Sequence, residues 1–174
     1  MTHDYPDVTI VDENDEIVGS MQRNDAIRLG KIYRISVVCL FNSAGELFLQ
    51  KRGPNIELPN LWCESAGGHV DKDEDYQTAA ARELEEELGI TNVPLIEVAT
   101  FYSESPHGQY VAKKFFKVFK GVSDNPVTIN REEISDGAWL SMAEIARRLK
   151  DNPEQFIRAF PKIFKYVTEK SKIT

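Results

Sequence analysis

The pattern of apolar and polar positions divides the chain into short hydrophobic runs separated by turn-forming residues. Residues 8–11 and 16–20 flank the polar turn Asp12-Glu13-Asn14-Asp15 and read as a small hairpin. Residues 23–29 predict a short helix closed by Gly30. A strand over 33–41 reaches the turn Asn42-Ser43-Ala44-Gly45 and returns over 46–52, where Gly53-Pro54-Asn55 ends it. Trp62-Cys63 lies in another strand-like run. The clearest helix is expected over 73–88, rich in Ala79, Ala80, Ala81, Arg82, Leu84 and glutamates, with Gly89 as its stop. Strands over 95–102 and 110–119 follow, joined by a loop through Pro106 and Gly108, and then a short strand over 138–140. Ser141-Met142-Ala143-Glu144 has capping-box spacing and opens a helix to Lys150; a last helix is expected over 153–169.

Strands and helices interleave without strict alternation. The expected fold class is therefore α/β of the α+β kind, a mixed sheet between helices rather than a purely parallel doubly wound sheet. With no repeat and no low-complexity linker, one domain over 1–174 is expected, the hairpin and short helix of 1–30 forming its N-terminal extension.

Composition narrows the function. The 174 residues carry 21 Lys+Arg against 28 Asp+Glu, a formal charge of −7, and 41% are hydrophobic. Such an acidic chain disfavours nucleic acid and anionic lipid as partners, and repels phosphate ligands unless cations intervene. No apolar run approaches the roughly 20 residues of a membrane span. The opening Met1-Thr2-His3-Asp4-Tyr5-Pro6-Asp7 lacks the basic and apolar blocks of a secretory signal, so a cytoplasmic location is expected. Cys39, inside an apolar run, reads as a buried thiol; with Cys63 it offers neither zinc spacing nor a disulfide framework.

The chemistry is concentrated between Gly67 and Ile90. On a helical wheel Glu83, Glu86 and Glu87 share an arc of about 100°. Leu84, Leu88 and Ala81 form a separate apolar stripe able to anchor the helix, and Glu85 points elsewhere. Like charges on one arc repel. A divalent cation removes that repulsion; magnesium suits the site because it takes a few carboxylates, keeps waters and accepts phosphate oxygens. Gly67 and Gly68 let backbone approach the cation or substrate closely. The alternative is a solvated acidic face on an ordinary surface helix.

The full spacing resembles the Nudix box: Gly, five residues, Glu, seven residues, Arg-Glu, an aliphatic, any residue, Glu-Glu, any residue, Gly, an aliphatic. Gly68, Glu74, Arg82, Glu83, Leu84, Glu86, Glu87, Gly89 and Ile90 satisfy every position. Seven residue-specific positions, each met by chance about once in 15, give about one chance in 10⁸ per start site. The resemblance implies a Nudix α/β/α sandwich with a mixed β-sheet, and a magnesium-dependent pyrophosphohydrolase, with manganese as the alternative metal. It implies metal ligation by Glu83, Glu86, Glu87 and the Gly67 carbonyl, with Arg82 and Glu74 ordering the carboxylates and Gly89 closing the helix. Its substrates are nucleoside diphosphates linked to another moiety. Metals would neutralise the diphosphate, orient it and activate water. The general base in such enzymes often lies after the later strands, which points to Glu133 with Glu132 second. A homodimer is compatible with the family.

The stretch from Val11-Asp12-Glu13-Asn14 through Phe48-Leu49-Gln50-Lys51-Arg52 is similar to the branch containing isopentenyl-diphosphate isomerase and hydrolase-like relatives. The isomerase carries a catalytic cysteine directly before Gly-His. Here Trp62-Cys63-Glu64-Ser65-Ala66-Gly67-Gly68-His69 puts Gly67 at that position, Cys63 stands too early, and Arg34 replaces a histidine ligand. Hydrolysis is the better reading; isomerisation and a non-catalytic nucleotide-binding module are its alternatives. Lys51, Arg52, Gly68 and Tyr102 are the candidate substrate contacts. His69 reads as a polar loop residue with phosphate or metal contact as the alternative, and His107 as a turn residue with substrate contact as the alternative. Trp62, Phe101, Tyr102 and Tyr110 could stack on a base, although strand aromatics are more often core.

Overall fold

The computed structural model describes residues 6–170. The ends of the expected 1–174 domain, and most of the opening segment read against a secretory signal, lie outside them. Strands β1 (Val8–Val11) and β2 (Ile17–Met21) form the expected hairpin, followed by helix α1 (Arg23–Arg28). Strand β3 (Ile32–Phe41) is the hub. It pairs antiparallel with β1, β4 (Leu47–Arg52) and β6 (Ala66–His69), and parallel with β8 (Tyr110–Val122). Strands β5 (Trp62–Cys63) and β9 (Ile134–Leu140) extend the sheet from β4, and β7 (Ile96–His107) forms a hairpin with β8. Among the described residues the result is a mixed sheet of nine strands.

Side chains alternate between the two faces of β3, and each face has its own core. Val38 and Leu40 pack with Tyr76, Ala80, Leu84 and Leu88 of helix α2 (Tyr76–Leu88). Val37, Cys39 and Phe41 pack on the opposite face with Ile145 of α3 (Met142–Asp151) and Phe160 and Ile163 of α4 (Phe160–Lys170). Near α1 a smaller cluster joins Ala26 and Ile27 to Tyr33 and Ala112. Each fully buried side chain of this size stabilises by about 1.5–3 kcal/mol. This is the expected sandwich of helices about a mixed sheet. Among the described residues no helix is long and apolar enough to cross a membrane.

Several boundaries differ from the sequence reading. Helix α2 begins at Tyr76 because Asp75 caps it, accepting the Thr78 N–H at 2.7 Å. Ala81 is exposed, so the anchoring stripe runs through Tyr76, Ala80, Leu84 and Leu88 instead. Pro106 lies within β7 rather than in a loop, and the hairpin closes over Gly108-Gln109. Strand β7 pairs with β8 alone, so the missing proline N–H falls on the outer edge. The last helix starts at Phe160, not 153, after a 3-10 turn over Pro153–Gln155. Pro161 explains this: inside a longer helix its ring would collide with the preceding turn, whereas in a first turn it does not.

Candidate active site

Strand β6 and helix α2 build the site together. Glycines are poor strand formers, yet Gly67 and Gly68 pair with Val37 and Ser36 because β3 leaves no room for a side chain at the first and the Glu83 carboxylate of α2 leaves none at the second. A Cβ added at Gly68 would overlap the Glu83 carboxylate, its farther oxygen being 2.8 Å away. One oxygen of Glu87 accepts both the Gly67 N–H at 3.0 Å and the Gln50 side-chain amide at 2.8 Å. In an antiparallel ladder the N–H and C=O of one residue point to the same side, so the Gly67 carbonyl also turns toward these carboxylates.

Arg82 is the local counter-charge. Its guanidinium donates to Glu74 at 2.9 and 3.0 Å, to Glu83 at 2.8 Å, to Glu86 at 3.2 Å and to the His69 carbonyl at 3.0 Å. One cation thus faces four carboxylates, Asp71 at 3.7 Å being the fourth, and Glu87 is not among them. Burial pushes the Glu83 carboxyl up to about 7 against the pull of Arg82, with Glu86 and Glu133 adding repulsion. Burial likewise raises Glu87 well above the carboxylate range, with Glu83 and Glu133 contributing. Glu86 is the exposed member, its side chain 56% accessible.

Glu133 therefore stands within the electrostatic reach of Glu83 and Glu87. It is held by its neighbours: Asn130 donates to its carboxylate at 3.2 Å, and the Gly53 N–H donates to its carbonyl at 2.6 Å. A Cβ at Gly53 would lie 2.8 Å from that carbonyl, so only glycine lets β4 approach this turn so closely. The same loop satisfies the end of α2, Thr128 and Asn130 donating N–H groups to the Leu88 and Glu87 carbonyls.

These groups fit a divalent cation in chemistry. The donor set is hard oxygen, two carboxyls are buried without a full counter-charge, and a glycine backbone lies against them. Among the described residues no three acidic, imidazole or thiol groups form a ready-made cage. Arg82 instead supplies the positive charge within the cluster.

The comparisons with known proteins bear directly on this arrangement. A family model described as the NUDIX domain matches residues 31–160. This chain belongs to the Nudix family. It is 40% identical over 131 residues to a Nudix hydrolase of Pseudomonas aeruginosa, covering 75% of each chain. It is also 31% identical to an isopentenyl-diphosphate Delta-isomerase of Pectobacterium atrosepticum, over 91% of this chain and 89% of that one. Among solved structures, a Deinococcus radiodurans protein superimposes with a TM-score of 0.70 at 32% identity, covering 84% and 90% of the two chains. As a Nudix protein with homologues named hydrolases, the chain is a pyrophosphohydrolase. Nudix enzymes generally use a divalent metal.

Against the residues read from the sequence, the Nudix fold brings together Glu74, Arg82, Glu83, Glu86, Glu87, Gly67, Gly68 and Glu133. Gly89 ends α2 in the left-handed conformation at φ 66°. Arg52 turns to the following loop, donating to the Glu57 carbonyl at 2.7 Å. Lys51 alternates to the face of β4 opposite Gln50, paired with Trp62. Tyr102 does not join the carboxylates: its ring packs edge-on against Phe115 and its hydroxyl donates to Glu104 at 2.5 Å. His69 is a strand residue, not a loop residue. Arg34 is structural; it binds Asp15 at 2.8 Å and lies over the Tyr76 ring, whose hydroxyl also reaches Asp15. Gln50 and Gly53 were not singled out from the sequence. The signal for Gln50 was a polar residue directly after the apolar run Leu47-Phe48-Leu49 of a strand.

Proposed function

We propose that the protein is a magnesium-dependent hydrolase that cleaves the diphosphate linkage of a nucleoside diphosphate derivative, manganese being the alternative metal. The observation that carries this reading is the placement of Glu83 and Glu87 against the Gly67–Gly68 backbone, with Glu86 and Glu133 within electrostatic reach of them. Glu83, Glu86, Glu87 and the Gly67 carbonyl would hold the metal. When bound, it supplies charge neutralisation for the diphosphate and a lower pKa for the attacking water. Arg82 keeps the carboxylates in register through its contacts with Glu74, Glu83 and Glu86. Glu133 takes the proton of the attacking water as the new P–O bond forms and the bridging P–O bond breaks. Two free, buried cysteines suit a reducing compartment such as the cytoplasm.

The isomerase-like reading is disfavoured at Gly67. A Cβ there would stand 2.8 Å from Val37 Cγ1 and 2.9 Å from the Ser36 carbonyl, so a cysteine would require β3 to shift. A panel of nucleotide sugars, ADP-ribose, dinucleoside polyphosphates, coenzyme A and isopentenyl diphosphate, followed by phosphorus NMR in isotopically labelled water, tests the reading. Magnesium-dependent cleavage with oxygen from water on one phosphorus is expected, and isopentenyl diphosphate should return unchanged. Glu133→Gln should slow cleavage by about 10²–10⁴-fold. Allylic product, or no cleavage anywhere in the panel, overturns it.

A further inference from the structure

The face of the sheet away from α2 holds a second polar cluster, built around Glu57. Its floor is Tyr33 on β3, His69 on β6 and Lys114 on β8, side chains that share one face because Tyr33 aligns with Lys114 and Ile35 with His69. The Tyr33 and His69 rings lie 5.7 Å apart. Its walls are Arg23 at the start of α1, His107 and Ser105 on β7, and the loop after β4. That loop is pulled inward at Glu57, whose carboxylate binds Arg23 at 2.5 Å and the His107 ring at 3.0 Å. Arg52 clamps the Glu57 carbonyl, and Lys114 donates to Ser105 at 3.2 Å.

Charge in this chamber does not balance. Arg23 and Lys114 are two cations against the Glu57 carboxylate, and Arg52, whose charge also reaches the buried Glu64, adds a third, in a chain whose net charge is −7. Burial and the neighbouring Arg23 and Arg52 pull the Lys114 pKa down, and Glu57 opposes them. Two polar atoms are also poorly satisfied: Arg23 Nε and the hydroxyl of the fully buried Tyr33 neighbour each other, yet neither makes a hydrogen bond of good geometry to any described residue. Burying donors without acceptors costs about 1–3 kcal/mol each, and an incoming acceptor recovers it. An anion with several oxygens, of the phosphate type, answers both deficits at once.

The chamber borders the proposed reaction centre across a single strand. Gly68 touches Glu83 on one face of β6, and His69, the next residue, turns to the other face. We propose that Arg23, Lys114 and the Tyr33 hydroxyl form a subsite for a phosphate group of the substrate other than the diphosphate being cleaved, and that Glu57 fills this subsite until substrate arrives. This rests on the hydrolase reading for its biological meaning, although anion binding itself does not need it. The preferred substrates then carry an additional phosphate, and the loop bearing Glu57 swings out when that phosphate enters. Leu58 and Asn60, held at φ 54° and 63°, are the neighbouring residues whose left-handed geometry that movement would relax.

The test has two arms. In the first, inorganic phosphate is titrated into metal-free protein and followed by amide NMR. Shifts centred on Tyr33, His69 and Lys114 are expected, tightened severalfold in Glu57→Gln and lost in Lys114→Met and Arg23→Gln. Phosphate that leaves these amides unmoved, or binds Lys114→Met as well as the parent, overturns the subsite. In the second, KM is compared within pairs differing by one phosphate: ADP-ribose and its 2′-phosphate, dephospho-coenzyme A and coenzyme A, nucleoside di- and triphosphates. At least one pair should favour the phosphorylated member by about tenfold or more, and Lys114→Met should bring that ratio to about one. A ratio near one for every cleaved pair overturns the substrate preference. Failure of all hydrolysis with phosphate binding intact would overturn the hydrolase reading and leave the anion site standing.

Discussion

The Glu83 carboxylate occupies the space that a side chain at Gly68 would need. The obstacle is the far end of a flexible side chain, so the fold can absorb Gly68→Ala by moving Glu83 away. The expected result is a protein that melts near the parental temperature but binds magnesium about 10–100-fold more weakly, as when the groups supporting a metal ligand are disturbed. Titration calorimetry beside a thermal melt checks it. Unchanged magnesium affinity would show that Glu83 does not need its position against β6.

Gln50 is the neutral partner of the buried Glu87, and its amide also donates to the Ser65 carbonyl at 3.2 Å. Gln50→Leu removes those donors and leaves buried acceptors behind, which costs about 1–3 kcal/mol per unsatisfied group. Urea denaturation should show that loss as a lower midpoint with an unchanged slope. A midpoint equal to the parent's would mean that Glu87 finds another donor.

Arg34 stands where the isomerase-like relatives are expected to carry a metal-binding histidine, but it fastens the β1–β2 turn to α2 through Asp15 and Tyr76. Arg34→Met takes the guanidinium from the half-buried Asp15 and leaves it the Tyr76 hydroxyl, a loss of about 1–3 kcal/mol. Magnesium affinity should stay at the parental value, since Arg34 contacts none of Glu83, Glu86 or Glu87. A tenfold loss of magnesium affinity without loss of stability would reverse that assignment.

Metal-free stability should depend on pH through Glu83. Its folded pKa of about 7 stands above the ordinary glutamate value of 4.5. Between these values the folded chain holds a proton that the unfolded chain has lost. The contribution to stability is complete below about 4.5 and disappears as pH rises through about 7. Glu87, raised by burial, acts in the same direction. Chelator-treated protein should therefore lose Tm from about pH 5 to about pH 8, and magnesium should raise Tm most at the upper end, where no proton competes. A metal-free Tm that climbs over this range contradicts the burial of these carboxylates.

The acidic helix was legible in the sequence because its chemistry is local. Glu83, Glu86, Glu87, Arg82 and Glu74 are placed by helical periodicity and one preceding turn, so their spacing alone brings them together. Strand β6 was not legible: Gly67-Gly68 reads as loop, and only β3 on one side and the carboxylates on the other make it a strand. Gln50 and Gly53 escaped for a related reason, since they meet Glu87 and Glu133 from 37 and 80 residues away. The separation of Tyr102 from the carboxylates was not legible, because an aromatic in a strand gives no sign of which face or edge it will reach. The chamber around Glu57 depends on a loop, a short helix and four strands, so no window of sequence contains it.

The most direct measurement is magnesium-dependent turnover of Glu87→Gln beside the parent protein, on whichever diphosphate the panel shows to be cleaved, with circular dichroism confirming the fold. Glutamine keeps an acceptor for the Gly67 N–H and removes the charge. Turnover should fall by about 10³-fold or more, equivalent to about 4 kcal/mol of lost transition-state stabilisation. Turnover within a few-fold of the parent, with the same magnesium requirement, would contradict the assignment of Glu87 to the metal site and with it the central claim.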